Sequence, residues 1–260
     1  MSKYFISTLF LCCFFIGQSQ QKPIDLKPKD TVVRSQKYGL RIGADLSRLI
    51  ISSVNDDFTG FEVLGDYRIS QKYFIAAELG NEKRTRQEEL SEVQDIYNFT
   101  TSGSYIKLGV DYNTYANWYG EQNLIFIGGR YAFSTFNQTV NNFQFFDRNR
   151  YWSPDNFVEG STEPREINDL TASWLELIFG TKAELFANIY IGASIRLGYI
   201  ISQKEPENFS NLYIPGFNKV TDESNFGVGY NVSLSYFIPL YKKAKKKKAI
   251  KKTSPPELEQ

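Results

Sequence analysis

Hydrophobic and polar residues alternate one by one along eight separate segments of the chain. In the first segment, Tyr38, Leu40 and Ile42 are separated by Gly39 and Arg41, and the alternation continues for about ten residues. A period of two residues is typical of a β-strand with one apolar and one polar face. The eight segments cover residues 38–47, 61–69, 73–80, 106–113, 125–134, 175–185, 189–198 and 226–238. The pattern therefore predicts an all-β chain of eight strands.

Short and long links alternate between these segments. The short links are residues 70–72, 115–121 and 186–188, and the long links are residues 52–59, 84–102, 136–170 and 202–225. Tight turns at one end and extended loops at the other are typical of bacterial outer-membrane barrels, which have an even number of strands. We therefore predict an eight-stranded antiparallel up-and-down transmembrane β-barrel over residues 37–241, with the long loops outside the cell.

The polar face of the predicted strands carries acids and bases in nearly equal numbers. If the apolar face meets lipid, these charges line the lumen, and an eight-stranded barrel is just wide enough for its own side chains. Charges removed from bulk water must be paired and hydrogen-bonded. We therefore expect a cross-linked polar plug rather than a conducting pore. The predicted lumen charge network consists of Arg41, Asp45, Glu62, Asp66, Arg68, Glu78, Lys107, Asp111, Arg130, Glu176, Lys182, Glu184 and Arg196.

Aromatic residues on the apolar face are predicted to form one band near each end of the barrel. Amphipathic rings prefer the two membrane interfaces, although tyrosine and phenylalanine are also simply good strand formers. The predicted bands are Tyr38, Tyr67, Tyr73, Tyr112 and Tyr236 near the short turns, and Phe61, Tyr131, Phe133, Tyr199 and Phe226 near the long loops.

The first nineteen residues have the three-part layout of a secretory signal peptide. Lys3 supplies a positive charge, residues 4–17 form an almost unbroken apolar run, and Gly17 and Ser19 are small residues suited to cleavage before Gln20. The apolar run is too short to span a bilayer as a helix. We therefore predict a signal peptide over residues 1–19 and a periplasmic linker over residues 20–36.

The residue types that the chain lacks argue against several enzyme classes. There is no histidine, and both cysteines, Cys12 and Cys13, lie in the predicted signal peptide. This removes the usual zinc ligands, a cysteine nucleophile and any histidine-based triad. Paired carboxylates can support acid–base chemistry, but balanced charge inside a narrow barrel needs no substrate. We therefore expect a non-enzymatic protein with no catalytic residue, no metal and no cofactor.

Aromatic and arginine side chains are concentrated in the third long link. Exposed aromatic residues beside arginine are typical of binding surfaces, although these side chains can equally extend the strands or close the barrel mouth as a lid. The candidate loop contact residues are Phe143, Phe145, Phe146, Arg148, Arg150, Tyr151, Trp152 and Phe157.

Two further features lie towards the ends of the chain. Eight lysines fall between Lys242 and Lys252. They predict a disordered periplasmic tail over residues 242–260 that is either solvated or binds anionic lipid or cell-wall material; nucleic acid is not an expected partner of an exported protein. Asp30-Thr31-Val32 resembles the acceptor motif for O-linked glycans in Bacteroidetes-type bacteria, which makes Thr31 a candidate acceptor, although a three-residue match also arises by chance.

The strand and link pattern of residues 37–241 resembles the small eight-stranded outer-membrane barrels of the OmpA and OmpX type. It also resembles an uncharacterised family of outer-membrane barrels in Bacteroidetes-like bacteria, in which a signal peptide precedes one barrel domain. The resemblance implies the cell outer membrane as the location and its lipid as a partner. We expect a barrel that contributes to envelope structure or binds a surface ligand through its external loops. The alternatives are a narrow passive, porin-like channel and a small-molecule- or lipid-binding barrel, including a soluble lipocalin-like one with its apolar face inward.

Overall fold

The chain is built almost entirely of β-strands. A computed structural model describes residues 35–91, 94–115, 122–146, 157–161, 163–205, 211–219 and 224–244. Its strands are β1 (Ser35–Asp45), β2 (Phe58–Arg68), β3 (Tyr73–Ser91), β4 (Gln94–Asn113), β5 (Leu124–Phe146), β6 (Phe157–Ser161), β7 (Arg165–Phe186), β8 (Ile189–Gln203), β9 (Tyr213–Ile214), β10 (Asn218–Lys219) and β11 (Phe226–Ala244). One helix of the described residues, α1, covers Leu46–Val54. None of the helical structure in these ranges is long and apolar enough to cross a bilayer.

Eight of these strands form a closed antiparallel ring. The order around the ring is β1, β2, β3, β4, β5, β7, β8 and β11, and the last strand pairs with the first. Each strand of the ring therefore pairs with its sequence neighbour in the ring on both sides, which confirms the predicted up-and-down barrel. Ser35 lies opposite Ala244, so the strands of the ring span residues 35–244 rather than 37–241.

The two ends of the barrel are built differently. At the end that we call the turn end, residues 69–72, 114–123 and 187–188 link the strands, and β1 begins and β11 ends there. At the opposite, long-loop end, the adjacent strands β3, β4, β5 and β7 have 19 to 23 residues each, against 11 for β1 and β2. Cross-strand pairing continues through the link predicted over residues 84–102. One side of the barrel wall is therefore taller than the other.

Side chains alternate between the exterior and the interior of the ring, as a period of two requires. On β2, Phe61 and Val63 are exposed whereas Glu62 and Leu64 are buried. Large apolar side chains are exposed on the outside of all eight ring strands; Ile195, for example, keeps 59% of its surface exposed. The exterior of the barrel is therefore an apolar belt.

Tyr38 does not lie in the predicted aromatic band at the turn end. It is buried, it stacks on Tyr241 with the ring centroids 5.3 Å apart, and the guanidinium of Arg68 lies 5.0 Å from its ring centroid. The register between β1 and β11 shifts after Tyr38, and such a shift changes which face a side chain occupies. The other nine aromatic residues of the two predicted bands are exposed or half-buried.

The first long link begins with α1, so the prediction that β1 continues to residue 47 is wrong. The carboxylate of Asp45 accepts a hydrogen bond from the backbone N–H of Ser47 over 2.8 Å. Aspartate is a favoured N-cap residue because its side chain satisfies a free N–H of the first helical turn. The pair Leu46-Ser47 continued the apolar–polar alternation by coincidence, but the N-cap at Asp45 ends the strand and starts the helix there. As a result, Arg48 points back into the barrel.

Candidate functional site

The predicted lumen charges lie in the interior of the ring. Eleven of the thirteen are buried, and Lys182 and Glu184 are half-buried. Buried charges are tolerated only when opposite charges or hydrogen-bond partners surround them. The pairing pattern therefore decides what the interior can do.

The middle of the barrel holds a network that joins five strands. Arg130 on β5 lies 2.7 Å from Asp111 on β4 and 3.4 Å from Glu78 on β3. Arg196 on β8 pairs with the same Glu78 and lies 3.5 Å from Glu176 on β7. Because each carboxylate contacts bases on other strands, the network cross-links the wall across its interior.

Towards the turn end, charges pair with one another and with aromatic rings. Asp66 accepts a hydrogen bond of 2.6 Å from Lys182, and Arg41 lies 3.6 Å from Asp66 and 4.4 Å from the ring centroid of Tyr190. Arg68 donates to neutral oxygens, among them the side chain of Gln36, 2.8 Å away. Two other side chains extend this group, since Glu184 accepts from the Tyr190 hydroxyl over 3.0 Å and Phe237 packs edge-on against the Tyr190 ring.

A second network at the long-loop end was missed by the sequence analysis. Arg48 of α1 lies 3.2 Å from Asp45 and 3.3 Å from Glu62, and it also pairs with Glu82 of β3. Burial disfavours the charged form of Arg48, but Glu62, Asp45 and the neighbouring tyrosines together outweigh this effect, so the pKa of Arg48 is raised. The signal for Glu82 was present, because Glu78, Gly80 and Glu82 share one strand face.

Residues 211–219, which we call the inserted segment, fold into the interior instead of extending outwards as a loop. The Tyr213 hydroxyl and the Gly216 N–H both donate to Glu82, over 2.7 and 3.0 Å. Lys107 in turn donates to the Gly216 carbonyl over 2.9 Å. Burial raises the pKa of Tyr213, so the hydroxyl keeps the proton that it donates.

Glycine is required where the inserted segment turns. Gly216 has a φ of +83°, and a Cβ at this position would lie 2.6 Å from the ring of Tyr105. A left-handed backbone in close contact with a ring excludes larger residues. The next residue, Phe217, packs against Trp174 with the ring centroids 5.6 Å apart. The segment is thus held by both polar and apolar contacts.

The interior is less polar than the sequence analysis expected. A cluster of buried apolar residues near the long-loop end includes Trp174, Phe136, Ile214 and Phe217. A second cluster nearer the turn end contains Phe74, Leu124, Phe126 and Ile178. These residues alternate with outward apolar neighbours in the strands, so hydropathy alone does not distinguish the two faces there.

A cavity of about 290 Å³ remains at the long-loop end, between α1, the inserted segment and β11. A single acid, Glu176, lines it. Apolar walls come from Ile51, Phe58 and Phe217. The basic residues of its lining are Arg48, Arg84, Arg86, Lys107 and Arg196. In the middle of the barrel, by contrast, a space of about 20 Å³ is found beside Arg130 and Arg196, which is enough for about one water molecule.

The predicted loop contact residues are divided by the limits of the described structure. Phe143, Phe145 and Phe146 belong to β5 and Phe157 to β6, and the backbones of Phe146 and Phe157 pair. Their side chains are outside the described structure, and so are the four contact residues Arg148, Arg150, Tyr151 and Trp152. Thr31 and the lysines after Lys243 also lie outside the described residues.

No group of three or more metal-ligating side chains occurs among the described residues. The comparisons with known proteins give one family and two similar solved structures. Residues 1–243 match the family model described as "Domain of unknown function (DUF6048)". No curated protein sequence matches the chain. Two solved structures from Acinetobacter baumannii are similar: CarO, with 11% identity, 78% of this chain and 98% of that chain covered and a TM-score of 0.39, and CarO2, with 12% identity, 78% and 99% covered and a TM-score of 0.37.

Proposed function

This chain belongs to the DUF6048 family, and we propose that it is a non-enzymatic outer-membrane barrel that contributes to envelope structure or to surface interaction through its long-loop end. The observation that carries the proposal is the apolar belt around a closed ring. A soluble barrel would turn these side chains inward, whereas lipid is the solvent that favours them outside.

The filled interior supports a structural or binding role over conduction. Ion pairs join five strands in the middle of the barrel, and the space there is about 20 Å³. A passive channel needs a continuous water path through the barrel, and both the central network and the inserted segment obstruct such a path. The narrow porin-like channel is therefore the second candidate.

Membrane location is tested by fractionation of cells that express the full chain. We expect the protein in the outer-membrane fraction. We also expect unheated protein to migrate faster in detergent gels than heated protein. A closed ring has no free strand edge at which unfolding starts, so the barrel stays folded and compact in detergent until it is heated. Recovery in the soluble periplasmic fraction, with no heat-dependent mobility, would reject the membrane assignment.

Conduction is tested by single-channel recording in planar bilayers. The proposal expects no steady conductance from the wild-type barrel. A stable open level in most insertions would favour the channel candidate instead.

The aromatic third loop is proposed as the surface that meets a ligand outside the cell. Deleting residues 147–156 removes Arg148, Arg150, Tyr151 and Trp152 while keeping β5 and β6. Adhesion of cells and binding of a surface ligand should fall when this deletion is expressed at the wild-type level. Trp118→Ala, in the turn-end link 114–123, is the matched aromatic control. Equal binding by wild type and deletion would remove the loop from the proposal.

The lysine-rich tail is proposed to bind anionic lipid or cell-wall material on the periplasmic side. Because β11 continues to Ala244, the informative truncation removes residues 245–260 and leaves the strand whole. We expect weaker sedimentation with phosphatidylglycerol vesicles and with purified peptidoglycan.

The proposed glycan at Thr31 is tested by the intact mass of the mature wild-type protein and of Thr31→Ala.

A further inference from the structure

The cavity at the long-loop end is distinguished by its charge. Five of the side chains that line it are basic and one is acidic. Three of the bases already have carboxylate partners: Arg48 has Glu82, Lys107 has Glu176, and Arg196 has Glu78. Arg84 and Arg86 differ, because no carboxylate among the described side chains pairs with either of them.

Arg84 and Arg86 belong to the same face of β3 as Glu78 and Glu82, one and two steps closer to the rim. Arg84 lies 5.4 Å from the ring centroids of both Phe58 and Tyr213. Arg84 also hydrogen-bonds to the Tyr213 side chain, and because a guanidinium has five N–H donors, others are left for a planar acid group. Both arginines are half-buried, so a small solute can reach them from the long-loop end.

A second observation comes from the floor of the cavity. Arg196 is buried to 7% exposure, and its Nε has no hydrogen-bond acceptor among the described residues. A buried donor without an acceptor is costly. An acidic group of a ligand in the cavity would supply an acceptor to this basic wall. The surrounding positive charge would offset the cost of removing that acidic group from water.

The remaining walls set the size and polarity of the ligand. Ile51, Phe58 and Phe217 provide apolar surface. A cavity of about 150 Å³ is enough for benzene, so the cavity of about 290 Å³ has room for a single ring or a short acyl group together with an acid group. It is too small for a lipid with two full acyl chains.

We propose that this cavity binds small organic anions, in which a carboxylate or phosphate group meets Arg84 and Arg86 and a compact apolar group packs against Phe58 and Phe217. The inference rests on the proposed function, since it places the opening of the cavity on the outer side of an outer-membrane barrel. It gives that barrel a ligand class, which the envelope role by itself does not.

The direct test is calorimetric titration of the full chain, folded in detergent micelles, with phenyl phosphate and with benzoate. Saturable binding of at least one of them is expected, together with weaker binding of inorganic phosphate and none of neutral phenol. Affinity should fall as salt is raised, because the contacts are ionic. Binding of phenol as tightly as both acids, or saturable binding of neither acid, would overturn the proposal.

Arg84→Gln with Arg86→Gln tests the residues. Loss of two charge-assisted contacts should weaken binding by about tenfold or more. Lys83→Gln is the matched control, because Lys83 directly precedes Arg84 on β3 and its side chain is exposed on the opposite face, and it should leave affinity unchanged. An equal loss in both variants would assign the effect to net charge and overturn the site.

The same samples separate this proposal from the one on which it rests. Heat-dependent gel mobility and outer-membrane fractionation report whether the barrel is folded and inserted. A correctly inserted barrel that binds neither acid contradicts the anion site alone. A protein recovered as a soluble species contradicts the membrane role, whatever it binds. If the double variant fails to fold, the single variant Arg86→Gln and the wild-type salt dependence still decide the matter.

Discussion

The two ends of the barrel interior are closed by different means. At the turn end, the closing side chains Tyr38, Phe74, Tyr190 and Phe237 come from the ring strands themselves. At the long-loop end, they come from α1 and the inserted segment, which are not strands of the ring and are held by polar contacts to Glu82 and Lys107 and by the packing of Phe217 on Trp174. Closure by strands is fixed by register, whereas closure by a segment is lost when its contacts are lost. The long-loop end is therefore where this barrel can change.

The largest effect is expected from Glu82→Ala. The substitution removes the buried carboxylate of Glu82, which leaves the half-buried Arg48 with one ion-pair partner fewer and Tyr213 and Gly216 without their acceptor. Breaking a buried ion pair from one side costs about 3–5 kcal/mol. Urea unfolding in micelles measures the loss, and bilayer recording should show conductance as the inserted segment detaches.

Glu166→Ala, which removes an exposed carboxylate of β7, is the control for Glu82→Ala. If Glu82→Ala unfolded at the same urea concentration as this control, the inserted segment would not be held by Glu82.

Asp66→Ala makes the corresponding break towards the turn end. It removes the carboxylate shared by Lys182 and Arg41, and we expect a loss of about 3 kcal/mol in the same urea experiment. Conductance should stay absent, because Tyr38, Phe74 and Phe237 remain in place. An open channel in this variant would show that the two ends are not closed independently.

Tyr213→Phe removes one hydrogen bond to a buried carboxylate and keeps the ring. Hydrogen bonds to charged groups contribute about 1.5–3 kcal/mol, so the loss should fall at the lower end of that range while the ring keeps its packing. Amide hydrogen exchange should increase within residues 211–219 and stay unchanged in β1. Tyr230→Phe, on the exposed face of β11, should alter neither quantity.

The smallest effect is expected at the turn between β7 and β8. Ala187 and Asn188 have φ values of +46° and +67°, as a two-residue hairpin turn requires. Alanine in this left-handed conformation costs about 1–2 kcal/mol, which glycine at this position would relieve. The greater freedom of glycine in the unfolded chain offsets part of this stabilisation. Ala187→Gly should therefore stabilise the barrel by about 0.5 kcal/mol.

The opposite change in stability is expected for the control Ala183→Gly, which replaces an alanine in the extended part of β7. This control should destabilise the barrel slightly. An alanine in an extended strand has no backbone strain for glycine to relieve, and the substitution removes a side chain. Matching thermal shifts of the two variants would mean that the turn at Ala187 carries no strain.

The fold was accessible from sequence wherever alternation was regular. On β2 and β4 the residue types of the two faces differ clearly, and Glu62, Lys107 and Asp111 lie inside as their positions predict. In Ile125-Phe126-Ile127, three apolar residues follow one another, and only the neighbouring strands decide that Phe126 is inside. The helix α1 was missed because a single capping residue changed the structure at the end of an alternating run.

The interior contacts at the long-loop end were beyond prediction from sequence. Tyr213 and Glu82 are 131 residues apart, and nothing local to Asn211-Leu212-Tyr213 indicates that it folds inward. The bases that line the cavity come from α1, β3, β4 and β8. Their proximity depends on the curvature of the ring and on the greater length of β3 and β4.

By itself, the sequence determined the number of ring strands, their alternating faces and the separation of short from long links, since each follows from backbone geometry over a few residues. Only the tertiary structure decided which carboxylate meets which base, that residues 211–219 enter the barrel, and that a basic cavity remains beside them. A strand's alternation is local, whereas pairing across a closed ring joins residues whose distance along the chain carries no information about their distance in space.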